Sequence, residues 1–121
     1  MIEVLVIQIF EIKPQVPGEL EKKLNTLCLP FVIDNFSDPT SIAYARQFIS
    51  ELEDVKVIVW EHGKGDLRPV QPLLNLLLKF KRKSLLITNS TNIRITQLSK
   101  ALNTKNFGSA EELLGWIKSQ G

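Results

Sequence analysis

The sequence predicts an α/β domain in which a largely parallel sheet of five strands is covered by helices on both faces. Three observations carry this. Short apolar, β-branched runs alternate along the 121 residues with stretches whose apolar positions recur every three or four residues. The connections are short, which favours right-handed crossovers between parallel strands. No internal repeat, low-complexity tract or long linker interrupts the alternation, and the length is that of one domain, residues 1–121.

The first strand covers residues 4–10, ending at Phe10. Lys13, Pro14, Pro17 and Gly18 break it. Residues 19–27 then place Leu20, Leu24 and Leu27 on one face of a short helix. Residues 30–34 form the second strand. Asp38 caps the next helix and Pro39 takes its first position, where a missing N–H costs nothing. That helix buries Ile42, Ala45, Ile49 and Leu52. Residues 55–60, ending at Trp60, are the third strand, and residues 61–66 read as a polar loop.

A leucine-rich helix follows from the Pro69 to Pro72 region to Phe80, because Pro72 cannot lie deep inside it. Residues 84–88 are the fourth strand. Asn89 to Asn92 supply a cap for a helix carrying Ile93, Leu98, Ala101 and Leu102. Asn106 and Phe107 mark a short last strand. Ser109 and Glu112 have capping-box spacing ahead of a helix buried through Leu113, Trp116 and Ile117.

Composition narrows the function classes. Hydrophobic residues make up 44% and charged residues 23%, which is ordinary for a globular chain and not for a disordered one. A net charge of +2 without a dense basic face predicts no nucleic-acid partner. No stretch has the roughly 20 apolar residues of a membrane span. Residues 1–10 lack a positive leader and a small-residue cleavage site, and read as a core strand of a cytoplasmic protein. Cys28 has no second cysteine to pair with and reads as a small buried apolar residue.

The alternation fits first a three-layer α/β/α sandwich of flavodoxin-like strand order, 2-1-3-4-5. In such sheets ligands bind beyond the carboxyl ends of the strands, where the strand order reverses. A pocket would therefore draw on Phe10, Glu11, Asp34, Asn35, Glu61, His62, Gly63, Thr88, Asn89 and Ser90. The segment from Glu61 to Asp66 holds two carboxylates, two glycines and the one histidine of the chain. His62 and Glu61 are the acid/base candidates, with Asp34 in support. Glu11, Asp34 and Glu61 are the carboxylates that a divalent cation would need to find together.

Other chemistries lack their parts. No P-loop, dinucleotide-binding glycine motif or nucleophile elbow is present. The loop after the first strand is a poor phosphate cradle for a flavin. A response-regulator site would want an aspartate where Glu61 stands, although Thr88 and Lys105 suit its other positions. The chemistry therefore predicts no cofactor and no metal. The basic run from Lys79 to Lys83 ends a helix, where cations meet the helix dipole favourably. Trp60 and Trp116 read as packing residues.

From Val55 onward the order of features resembles the STAS domain, the family of anti-sigma-factor antagonists and transporter tails. The matching features are residues 55–60, the loop and leucine-rich helix with its basic end, residues 84–89, and the helix from Ile93 to Leu102. The run from Phe107 to Glu112 resembles that family's closing strand and helix start. The resemblance covers about half of the chain. Together with the missing catalytic parts it implies a non-enzymatic regulatory domain that binds another protein through Asp66, Arg68, Gln71 and the helix that follows; the alternative is a small enzyme or ligand-binding domain that uses the crevice at the carboxyl ends of the strands. The family's phosphorylatable serine would fall near Asp66 to Pro69, where this chain has none. The family also opens with a hairpin, whereas a helix separates the first two strands here. The leucine- and isoleucine-rich helices also offer an apolar face to a second copy.

Overall fold

A computed structural model describes residues 1–120. Five parallel strands form one sheet of order β2-β1-β3-β4-β5. They are β1 (Glu3–Phe10), β2 (Leu29–Asp34), β3 (Val55–His62), β4 (Ser84–Thr88) and β5 (Asn103–Asn106). Five helices connect or follow them: α1 (Glu19–Leu27), α2 (Pro39–Glu51), α3 (Gln71–Lys79), α4 (Ile93–Ala101) and α5 (Ala110–Gln120). The α/β class and the 2-1-3-4-5 order are those predicted.

The sheet is buried on both faces, which is why β1 and β3 read as near-continuous apolar runs. Side chains alternate along a strand, so each run feeds two cores. Leu5, Ile7 and Ile9 of β1 join Val55, Val57 and Val59 of β3 beneath α2, α3 and α4. Val4 and Val6 join Ile58 and Trp60 on the opposite face, beneath α1 and α5. Full burial of each such aliphatic side chain contributes roughly 1.5–3 kcal/mol. Cys28 belongs to the second core; its thiol donates to the Leu24 carbonyl at 3.3 Å, and burial pushes its pKa up.

Local chemistry sets the helix ends. Asp38 accepts from Ser41 N at 2.7 Å with Pro39 at the start of α2, and that bond holds its carboxyl below the usual range. Glu112 N donates to the Ser109 hydroxyl oxygen at 3.3 Å, while the Glu112 carboxylate accepts from Gly108 N rather than from the cap residue. A single 3₁₀ turn at Arg68–Val70 leads into α3, and Pro72 lies in its first turn.

Three expectations shift. β3 runs two residues further than predicted, because Glu61 and His62 pair in register with Ile9 and Phe10. On α4 the buried residues are Ile95 and Leu98, while Ile93 is 71% exposed. Asn92 caps that helix through Arg94 N, and this cap turns the first helical residue outward. The last strand precedes Phe107, which packs with Trp116 at the rim of the second core.

β2 and β5 are the edges. Leu29 N donates inward to Ile2 O and Asn35 N donates inward to Gln8 O. Asp34 N, which points the other way, donates to the Ser37 hydroxyl at 2.9 Å. The helix α1 between the parallel β1 and β2 is where the chain departs from a hairpin opening.

Candidate functional site

The carboxyl ends of the strands are closed largely by their own side chains. Asn35 follows β2 and clamps the end of β1: its Oδ1 accepts from Phe10 N, and its Nδ2 donates to Phe10 O, both at 2.9 Å. Asn89 follows β4 and does the same for β3, accepting from Glu61 N at 2.8 Å and donating to Glu61 O at 3.0 Å. Each side-chain amide thus substitutes for the next residue of a neighbouring strand.

The extension of β3 decides what Glu61 and His62 can do together. Adjacent residues of a strand point to opposite faces. Glu61 lies on the face of Ile9 and receives the Ser90 hydroxyl. His62 lies on the other face, stacked on Phe10 with ring centroids 4.6 Å apart and bonded through Nε2 to Gln8 Oε1 at 2.8 Å. Burial against this wall pushes the imidazole below the usual histidine pKa. The structure therefore separates Glu61 from His62. It places Asp34 on the His62 face, directly opposite Gln8 in the strand register. Asp34 Oδ1 accepts from Phe36 N at 2.6 Å and so organises its own turn.

The loop after β3 folds back over the point where strand order reverses. Gly63 has φ +94°, a left-handed conformation that favours glycine. Lys64 N then donates to Glu11 Oε1 at 2.6 Å. Gly65 lies so close to β1 that a Cβ there would overlap the Phe10 carbonyl oxygen. Glu11, Asp34 and Glu61 do not converge: among the described residues no three His, Cys, Asp or Glu side chains gather as a metal site.

Asp66, Arg68 and Gln71 do fall on one side of the molecule. Asp66 and Arg68 form a two-pronged ion pair, Nε to Oδ1 at 3.0 Å and Nη2 to Oδ2 at 3.0 Å. The bonds from Arg68 hold the Asp66 carboxyl below its usual range, with a smaller contribution from Arg94. Gln71 begins α3 beside a groove of about 470 Å³ between α3 and α4. Leu74, Leu78 and Leu98 are the apolar lining, and Asn75, Arg94 and Gln97 the polar rim. Leu78 is 43% exposed there. Gln71 Nε2 donates to Asn75 Oδ1 at 3.0 Å, but its Oε1 is buried without a partner among the described residues.

The basic run divides. Lys83 Nζ donates to Ser50 O at 3.0 Å and Leu52 O at 2.6 Å, closing the end of α2, and sits 4.3 Å from the centre of the Phe80 ring. Lys79, Lys81 and Arg82 are exposed.

Sequence reasoning missed Gln8 and Arg94, and placed Asn35 and Asn89 at the strand ends without their clamping role. Gln8 had a signal: it is the one polar residue among the buried positions of β1, where an unpaired amide is costly. Asn35 and Asn89 also had one, since each directly follows a strand. Among the described residues no helix is long and apolar enough to cross a membrane. No protein-family model, curated protein or solved structure matches this chain.

Proposed function

We propose that this is a non-enzymatic protein-interaction domain, in line with the STAS-like resemblance, and that its docking site is the groove between α3 and α4. The observation that carries the reading is the chemistry of that groove. An apolar floor ending in exposed Leu78 lies beside a buried acceptor, Gln71 Oε1, that no group among the described residues satisfies. A buried acceptor left unpaired costs about 1–3 kcal/mol, a cost relieved when the Gln71 amide rotates to meet a partner's N–H in the groove. Arg94 stands on the rim with no ion pair among the described residues, and Asp66 and Arg68 flank the same end.

The occupant that fits is an acidic amphipathic segment of another protein. Its apolar side chains cover Leu74 and Leu78, a donor reaches Gln71, and a carboxylate meets Arg94. Such a mode, apolar anchors in a helix-lined groove with a charge at the rim, is common in peptide recognition. The absence of serine between Asp66 and Pro69 argues for docking without a phosphorylation switch at that loop.

Binding of fluorescent amphipathic peptides tests this, one series carrying glutamate on the polar face and one carrying lysine. The acidic series is expected to bind at least about tenfold tighter, a difference of ~1.4 kcal/mol. Leu78→Glu and Arg94→Glu should each abolish that preference while leaving the fold intact by circular dichroism. Equal binding of both series, or acidic binding unchanged in both variants, refutes the reading. If the chain is a dimer by sedimentation and Leu78→Glu makes it a monomer, the occupant is a second copy and the proposal fails.

A further inference from the structure

Gln8 is 5% exposed in the middle of an apolar strand, yet only one end of its amide is used within the chain. Its Oε1 holds His62, while its Nε2 makes no hydrogen bond to any described residue. Gln8 lines a cleft of about 230 Å³ at the carboxyl ends of β1 and β2, and with its oxygen taken by His62 the amide nitrogen is the group it has left to offer there. The same cleft is lined by Asp34 and by Glu21 in the first turn of α1, and neither carboxylate pairs with a cation among the described residues. Phe10 supplies an aromatic wall, braced from behind by the stacked His62, and Pro14 and Pro17 stiffen the loop that closes the side.

We infer that this cleft binds a small primary ammonium compound that also carries a hydroxyl or carbonyl oxygen. The two carboxylates take the ammonium group, with Phe10 beside it as a cation–π wall. The Gln8 amide N–H groups donate to the oxygen. The geometry disfavours a bare divalent cation: hard cations want six or more oxygens, and the carbonyl end of Gln8 is turned to His62. The volume lies below the range of drug-sized sites, so the ligand is small. The site stands on a different face from the α3–α4 groove and does not depend on the docking proposal.

The test is an NMR titration of the whole chain with ethanolamine, putrescine and magnesium chloride at neutral pH. Ethanolamine should shift the Gln8 side-chain NH₂ signals and the Phe10 and Asp34 amides in a saturable way. Glu21→Gln, a change on a helix surface, should weaken this by about tenfold, and Asp34→Asn by a similar factor. Putrescine, which has the charge but no oxygen, should bind more weakly. The proposal is overturned if ethanolamine leaves these signals in place. It is also overturned if both variants bind as the parent does, or if putrescine or magnesium shifts the same signals equally well.

Discussion

Replacing Asn35 by alanine removes both hydrogen bonds that hold the end of β1. The side chain is 5% exposed, and its bonds to Phe10 N and Phe10 O are each 2.9 Å long. Two neutral bonds are worth about 2 kcal/mol net, and a stranded buried group adds about 1–3 kcal/mol. Phe10 is half-buried, so water recovers one of the two groups. The expected loss is therefore about 3–5 kcal/mol, a large part of the ~5–15 kcal/mol that holds a domain together. Urea titration reads it as a lower midpoint with an unchanged slope. Hydrogen exchange at Phe10 N–H should speed up in parallel. Asn89→Ala should cost less, about 1–2 kcal/mol, because Asn89 is only half-buried and water can replace its bonds. A loss below about 0.5 kcal/mol for Asn35→Ala, the level of an ordinary surface change, refutes the clamp.

Other perturbations separate the remaining features. Gly65→Ala should destabilise by about 1–3 kcal/mol, because its Cβ overlaps Phe10 O and lies 2.7 Å from Ile9 Cγ2. Gly115→Ala, in α5 with open space around it, should instead stabilise by about 0.5–1 kcal/mol; thermal melts compare the two. His62 has a folded-state pKa below its ordinary 6.5, so the unfolded chain takes up a proton first as pH falls. Stability should be full above pH 6.5 and decline from there down to the folded pKa, and His62→Gln should flatten that decline in urea titrations. Lys83→Met keeps much of the contact with Phe80 but frees the Ser50 and Leu52 carbonyls, and should cost about 1–2 kcal/mol by denaturant titration.

The architecture was legible because it follows from period. The runs at β1, β3 and β4 have no polar face, and only a sheet covered on both sides buries such runs. The site was less legible because it depends on where a strand stops. Glu61 and His62 look like a loop by composition, yet pairing with Ile9 and Phe10 carries the ladder through them, and that assigns them to opposite faces. On α3 the residues Leu73, Leu74, Leu76, Leu77 and Leu78 span more of the helix than one face. Composition alone does not show that Leu78 is the one left exposed at the groove; the packing of α4 decides it. Ile93 and Ile95 differ in the same way, since the Asn92 cap fixes the rotation of α4. Asp66, Arg68 and Gln71 come together because they are near neighbours in sequence around the turn at Arg68–Val70.

The outer strand β2 also limits how anything can attach to this molecule. Alternation along it turns the amides of residues 30, 32 and 34 away from the sheet. Pro30 has no hydrogen to give, and that of Asp34 is taken by Ser37. Val32 alone keeps a free amide on that border, too few to seed an added ribbon. Fibrous stacking through β2 is thus blocked at its first step, which leaves β5 as the one edge of the sheet where a strand could add.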